Sequence, residues 1–282
     1  MPLFENVALR KMRAGQPALG FGVHHLRTTA VPMLAKATGH DWLFIDTEHG
    51  AFSVQEATQL CIAALPHGVT PIVRVCADAI DEGTRALDNG ALGIVVPHVD
   101  TPKQAKRIAA AFHYPPDGHR SWGGPPAVYG YQAPAAAEAQ AAINREIIVA
   151  AMIESPEAVA NADDIASVDG IDVLLIGTSD LTAELGISGQ IGHEKVAEAY
   201  RKVGDACRKR GKFLGMGGVY DQTNAARYMR MGAQFILSGS DHAYVMAGAA
   251  ARSEFLRGVK IGPAEVPVAA PTPKPARKKG RK

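Results

Sequence analysis

Residues 149–180 read VAAMIESPEAVANADDIASVDGIDVLLIGTSD, and the fold turns on how this stretch divides. One apolar run ends at Glu154, and a second, DVLLIGTSD, ends at Asp180. Between them PEAVANADDIASV opens with Pro156 and repeats apolar residues at helical spacing, so the unit reads strand, helix, strand. Runs this apolar suit parallel strands covered on both faces, and a right-handed crossover brings both strand ends to one edge of the sheet. Glu154 and Asp180 are then neighbours whose charges repel unless a cation stands between them. Two carboxylates suit a hard divalent ion such as Mg²⁺ or Mn²⁺. Read singly, each is weak evidence, and Asp180 also serves as a cap for the next helix.

The same alternation continues outward in both directions. Upstream, ALGFGVHHL (18–26), DWLFIDTEHG (41–50), PIVRV (71–75) and GIVVPHV (93–99) read as strands. Helical segments follow them near 30–38, at 54–68, at 79–90 with Gly90 as its stop, and at 101–114. Downstream come helix 193–210, strand KFLGMGGV (212–219), helix 221–232, strand QFILSGSD (234–241) and helix 242–258. Residues 114–147, rich in Pro, Gly and Ala, read as a long inserted loop, a lid, binding loop or subunit contact. Eight strands each followed by a helix predict an α/β protein, a TIM (β/α)8 barrel rather than an open doubly wound sheet. In such barrels the chemistry sits at the C-terminal ends of the strands.

The 282 residues, 47% hydrophobic and 21% charged, are ordinary for one barrel domain, placed at 1–262. No apolar run approaches the roughly 20 residues of a membrane span, and the opening MPLFENVALRKMRAG has no secretory apolar core, so a cytoplasmic protein is expected. Cys61, Cys76 and Cys207 lack metal-type spacing and read as reduced thiols. From residue 267 the tail carries six Lys and Arg and no acid, so the net charge of +2 leaves +2 − 6 = −4 for the rest. Residues 263–282 are expected to be a disordered, solvated Pro/Lys/Arg-rich appendage, with nucleic acid an unlikely partner.

The strand ends collect polar residues: His24 and His25, then Asp46, Glu48 and His49, then Arg74, His98, Glu154, the Thr178-Ser179-Asp180 turn, and Ser238, Ser240 and Asp241. His49, three residues after Asp46, suits proton transfer, because a carboxylate orients an imidazole and leaves its titration near neutrality. The alternative is a histidine bonded to a loop carbonyl. Arg74 in an apolar strand needs an anion, as an ion-pair partner or as the group that steadies a developing oxyanion. Gly177, Thr178 and Ser179 form a turn whose amides suit a small carboxylate. Cation, arginine, base and amides together suit enolisation of a 2-oxo acid.

These segments resemble the HpcH/HpaI class II (metal-dependent) pyruvate aldolases, the 4-hydroxy-2-oxoheptanedioate aldolases among them. The similarity runs from about Phe21 to Asp241 and is carried by DWLFIDTEHG, PIVRV, LDNGALGIVVPHVDTPKQA, GHRSWGG, the segment from MIESPEAV to DLTAELG, and GMGGV. The resemblance implies a phosphoenolpyruvate/pyruvate-type barrel that reversibly cleaves 4-hydroxy-2-oxo acids to pyruvate and an aldehyde. It implies Glu154 and Asp180 as ligands of Mg²⁺, Mn²⁺ or Co²⁺, His49 with Asp46 as the base dyad, and Arg74 as the group polarising the pyruvyl carbonyl. Gly177, Thr178 and Ser179 match the turn that receives the carboxylate, and hexamers that exchange the last helix are common. Two departures stand out. Met152 occupies the place of a glutamine and faces the pocket two residues before Glu154, and Thr178-Ser179 replaces Pro-Ala. The acceptor is expected to be chosen by the 114–147 loop, through Arg120 and Trp122, and by neighbouring subunits. A lyase of citryl- or malyl-CoA type is the main competing reading, disfavoured by His49 and by the lack of a basic phosphate cluster. A non-catalytic binding barrel is the other.

Overall fold

The structure, a computed structural model, describes residues 5–262. The predicted tail at 263–282 lies outside the described residues. Eight parallel strands close on themselves in sequence order: β1 (Ala18–Val23), β2 (Trp42–Asp46), β3 (Thr70–Arg74), β4 (Gly93–Val96), β5 (Ile148–Ile153), β6 (Val173–Gly177), β7 (Phe213–Gly217) and β8 (Ala233–Ser240), with β8 pairing back onto β1. The helices are α1 (Val7–Arg13), α2 (Val31–Ala37), α3 (Val54–Ala64), α4 (Ile80–Asp88), α5 (Pro102–Phe112), α6 (Ala136–Glu146), α7 (Pro156–Ala160), α8 (Ala162–Ala166), α9 (Thr178–Glu184), α10 (Glu194–Arg210), α11 (Gln222–Arg230) and α12 (Asp241–Gly258). The (β/α)8 barrel predicted from the alternation is the observed fold.

Parity along the strands explains both the core and the site. One set of side chains, including Trp42, Phe44, Ile72, Ile148, Ala150, Met152, Val173, Leu175, Phe235 and Leu237, packs together inside the barrel. The opposite set packs outward against the helices. Continuing the inward columns by two residues leads from Phe44 to Asp46, from Ile72 to Arg74, and from Met152 to Glu154. The alternation that fills the core therefore also aims the polar groups at its rim. Trp42 stacks on Phe235 with ring centroids 4.0 Å apart, and this is possible only because Gly20 lies beneath it: a Cβ there would stand 2.3 Å from the indole.

Three expectations change. The first strand ends at Val23, which leaves His24 and His25 in the loop. The 114–147 segment is not all loop: its Ala-rich end forms α6, and Ala127–Tyr129 makes a 3-10 turn. The crossover helix between β5 and β6 is two short helices, α7 and α8, joined at Asn161. An unforeseen element is α1, whose Ala8, Leu9 and Met12 join the inner core. Asn6 caps α1 through Leu9 N–H and donates to the carbonyls of Leu92 (3.1 Å) and Glu146 (2.7 Å).

The chain divides into a unit ending at Tyr244, which holds the barrel, and a unit beginning at Val245. Within the second, α12 carries Val245, Met246, Phe255 and Leu256 exposed. Among the described residues no helix is long and apolar enough to cross a membrane.

Candidate active site

Asp46 closes β2 with no exposure. Arg74, at the end of β3, grips it with both arms, Nε to Oδ1 at 2.9 Å and Nη2 to Oδ2 at 2.6 Å. The backbone N–H groups of Glu48 and His49 donate to Oδ1, at 3.1 and 3.2 Å, and His24 Nε2 lies 2.9 Å from Oδ2. Burial by itself would raise the Asp46 carboxyl, but His24 and Arg74 outweigh it and hold the group well below the usual carboxylate range. With Asp46 ionised, His24 Nε2 carries a proton and donates it.

Arg74 also reaches Glu48, Nη1 to Oε2 at 2.9 Å, and its guanidinium carbon lies 5.1 Å from the centre of the Phe44 ring. Its Nη1 stands 4.0 Å from Met152 Sδ. Burial alone would depress Arg74; Asp46 and Glu48 more than offset that and keep it charged. The arginine that the sequence marked as needing an anion has two.

The expected pairing of the His49 ring with Asp46 is not what the structure holds. His49 gives Asp46 only its backbone N–H. Its ring is 65% exposed, and the carboxylate nearest it is Glu48, 3.9 Å from Nε2. The imidazole bonded to Asp46 is that of His24, held in place because Asp241 accepts the N–H groups of His24, His25 and Leu26. His24 and His49 both line a cavity of about 330 Å³ over the barrel mouth, together with Arg74, Met152, Gly177 and Asp180. Phe44, Leu175 and Leu237 give that cavity an apolar floor.

Glu154 follows β5 and is 2% exposed. The His98 N–H donates to its Oε2 at 2.9 Å, and His98 takes the left-handed φ of 53°. Residues with side chains adopt that conformation uncommonly, histidine less rarely than most. Burial pushes the Glu154 carboxyl up to about 7, and Asp180 adds to the rise while His98 and Arg74 pull it back. Gly177 makes room for it, since a Cβ at that position would stand 2.3 Å from Glu154 Oε1. Asp180, in the first turn of α9, lines the cavity that holds Arg74 and a second one that holds Glu154. Two oxygen donors, one of them buried and disfavoured as an ion by its surroundings, fit a hard divalent cation.

Thr178 is buried and its hydroxyl meets Tyr200 OH at 2.8 Å, while Ser179 is exposed. Replacing Pro-Ala by Thr-Ser thus leaves the Thr178 side chain in the core. Arg120, expected on the acceptor side, is instead buried, paired with Asp88 at 2.6 Å and stacked 4.5 Å over Tyr114; neither it nor Trp122 lines the cavity around Arg74. His24, Glu48 and His98, which the sequence placed at strand ends without a specific role, join the site. The available signal was position alone, since each lies just past a strand.

Residues 27–247 match the family model described as HpcH/HpaI aldolase/citrate lyase. The chain is 34% identical over 255 residues to a 4-hydroxy-4-methyl-2-oxoglutarate aldolase of Hapsidospora irregularis, covering 88% of this chain and 94% of that one. It is 35% identical over 254 residues to a hydroxypyruvate/pyruvate aldolase of Sagittula stellata, covering 89% and 98%. The crystal structure of an HpcH/HpaI aldolase from Desulfitobacterium hafniense superimposes with a TM-score of 0.84 at 29% identity, over 89% of this chain and 97% of that one. With its barrel, its rim of carboxylates and these relatives, the chain belongs to the HpcH/HpaI aldolase/citrate lyase family and is a carbon–carbon lyase of the aldolase type.

Proposed function

We propose that the protein reversibly cleaves a 4-hydroxy-2-oxo acid to pyruvate and a carbonyl compound, with Mg²⁺, Mn²⁺ or Co²⁺ held by Glu154 and Asp180. The observation that carries this reading is Arg74, a buried guanidinium gripped by Asp46 and Glu48 in a cavity that Asp180 also lines. Bound at the two carboxylates, such a cation supplies electrophilic stabilisation to an enolate.

The chain's own residues do the rest. Arg74 cannot swing away, so its charge stays fixed for the 2-oxo oxygen and needs no reorganisation as negative charge develops. The amides of Thr178 and Ser179 receive the carboxylate at the turn after Gly177. His49 takes the proton of the 4-hydroxyl as the C3–C4 bond breaks, and the electron pair of that bond becomes the C2–C3 double bond of the enolate. A proton returned to C3 gives the pyruvate methyl group. His49 is preferred to His24 for this work because its ring is open, whereas His24 Nε2 is committed to Asp46 and its Nδ1 is buried. The apolar floor suits the methyl end of pyruvate. The relative that acts on 4-hydroxy-4-methyl-2-oxoglutarate supports a small 2-oxo acid as acceptor, because retro-aldol cleavage of that compound yields two pyruvates. The exposed apolar side chains of α12 and the family resemblance support a homo-oligomer, a hexamer.

The test is proton NMR of the pyruvate methyl group in D₂O, with Mg²⁺ against EDTA. Cation-dependent exchange that disappears in Glu154→Ala is expected. Absence of exchange with Mg²⁺, Mn²⁺ and Co²⁺ alike would overturn pyruvate as the nucleophile.

A further inference from the structure

A second group of ligand-type side chains gathers where the loop after β1 meets the start of α12. The ligand atoms of His24, Asp241 and His242 lie within 4.8 Å of one another. Asp241 is buried, and its Oδ2 accepts the N–H groups of His24 (3.1 Å), His25 (2.8 Å) and Leu26 (2.7 Å), while Oδ1 accepts that of His242 (2.7 Å). Burial would raise the Asp241 carboxyl; these amides more than reverse it, so the group stays an anion in a fixed orientation. The His242 ring is half-exposed, stands edge-on to His24 and His25 at 5.4 and 5.2 Å, and brings Nδ1 within 3.5 Å of Asp241 Oδ1.

Two features of this cluster are unfavourable for the polypeptide alone. His24 Nδ1 is buried without a hydrogen-bond partner, an arrangement that leaves its desolvation uncompensated. Three imidazole rings also crowd together, their centroids 5.2 to 6.4 Å apart. Both make sense for a ligand set. A metal-binding histidine characteristically gives its other nitrogen to a carboxylate, as His24 Nε2 does to Asp46, and a ligating carboxylate is itself held by hydrogen bonds, as Asp241 is.

We propose that His24, through Nδ1, with Asp241 and His242 forms a second divalent metal site, one that takes a borderline transition ion such as Zn²⁺. Metal–nitrogen distances of about 2.0–2.1 Å require the exposed His242 ring to turn away from Ser240 Oγ, now 3.2 Å from its Nδ1. Two imidazoles and one carboxylate favour Zn²⁺ over Mg²⁺, whereas the oxygen pair Glu154 and Asp180 suits Mg²⁺ and Mn²⁺. The two sites therefore sort cations by ligand type. A Zn²⁺ ion here would tie the β1 loop to the start of α12 and fix the imidazole that holds Asp46.

The test is titration of Zn²⁺ alone into the full chain by calorimetry, against a millimolar Mg²⁺ background that occupies the oxygen site. Wild type is expected to bind one equivalent. Glu154→Ala should retain that equivalent, and His242→Ala, a change at an exposed side chain that leaves the fold intact by circular dichroism, should weaken it by at least roughly tenfold. Zn²⁺ binding that His242→Ala leaves unchanged, binding that vanishes with Glu154→Ala, or no binding to wild type would each overturn the proposal.

Discussion

Asp46 and Glu154 are both carboxylates at the top of an inward-facing column, both nearly inaccessible, and they hold their protons in opposite ways. Asp46 is surrounded by donors: Arg74 on two sides, His24 and two backbone N–H groups. Glu154 has one N–H from His98, the His98 ring 3.4 Å from Oε2, the charge of Arg74 and a like charge in Asp180, and these do not offset its burial. The first is a self-contained ion cluster that fixes an arginine. The second is a carboxylate whose charge its neighbours offset only in part, as the cation ligand proposed above requires. Depth alone does not separate the two carboxylates; the balance of their partners does.

The largest effects follow from breaking each half. Glu154→Gln should abolish Mn²⁺ binding and lower pyruvate methyl exchange by roughly a thousandfold or more, while metal-free stability in urea stays equal or rises. Asp46→Ala leaves the Arg74 charge buried without its bidentate partner and should cost about 3–5 kcal/mol of stability in the same measurement. Equal destabilisation by both variants would erase the distinction.

The same contrast sets the response to pH. Glu154 goes from an ordinary 4.5 in the unfolded chain to about 7 in the fold, so the native state binds the extra proton between those values. Stability of the metal-free protein should therefore fall as pH rises from about 4.5 to 7 and level off above that, by roughly 1.4 kcal/mol per unit at most. Cation binding requires the ionised carboxylate and runs the other way: Mn²⁺ affinity should drop by up to about tenfold for each unit below pH 7. Asp46, held low, contributes throughout this window and is lost only in strong acid. Urea melts with EDTA and calorimetric Mn²⁺ titrations across pH 5 to 8 measure the two slopes.

The barrel was legible because every strand but β7 announces itself twice, by an apolar run and by the polar residue that follows it, and the inward parity of Met152 and Glu154 follows from the chain alone. What the chain hid depends on distance or on weak local pattern. Seven residues of α1 show no periodicity long enough to trust, yet they fill the inner core because Asn6 is bonded to Leu92 and Glu146. The Ala-rich segment of α6 lacks a strong apolar stripe and merged with the loop before it. The histidine on Asp46 is His24 rather than His49 because Asp241, more than two hundred residues away, clamps the β1 loop. Local spacing favoured the histidine three residues from Asp46, whose ring points instead to the open cavity.

The smallest effect, and the finest division between the two regions, sits at Met152, which lies between them in the cavity floor. Its sulfur is 4.0 Å from Arg74 Nη1, at the limit of a weak contact, so this side chain adds little to the grip that Asp46 and Glu48 already exert. A glutamine there would offer Arg74 a stronger acceptor and put a polar amide beside Phe44, Leu175 and Leu237. Met152→Gln should cost roughly 1–3 kcal/mol of stability, the scale of burying a partly satisfied amide. It should also shift the ratio of kcat/KM for hydroxypyruvate over pyruvate upward by about tenfold, the scale of one small substituent in a pocket. The ratio is read from exchange of the C3 protons of each oxo acid under the same Mg²⁺. If it does not move, the apolar floor does not choose the nucleophile, and selection rests on the polar rim alone.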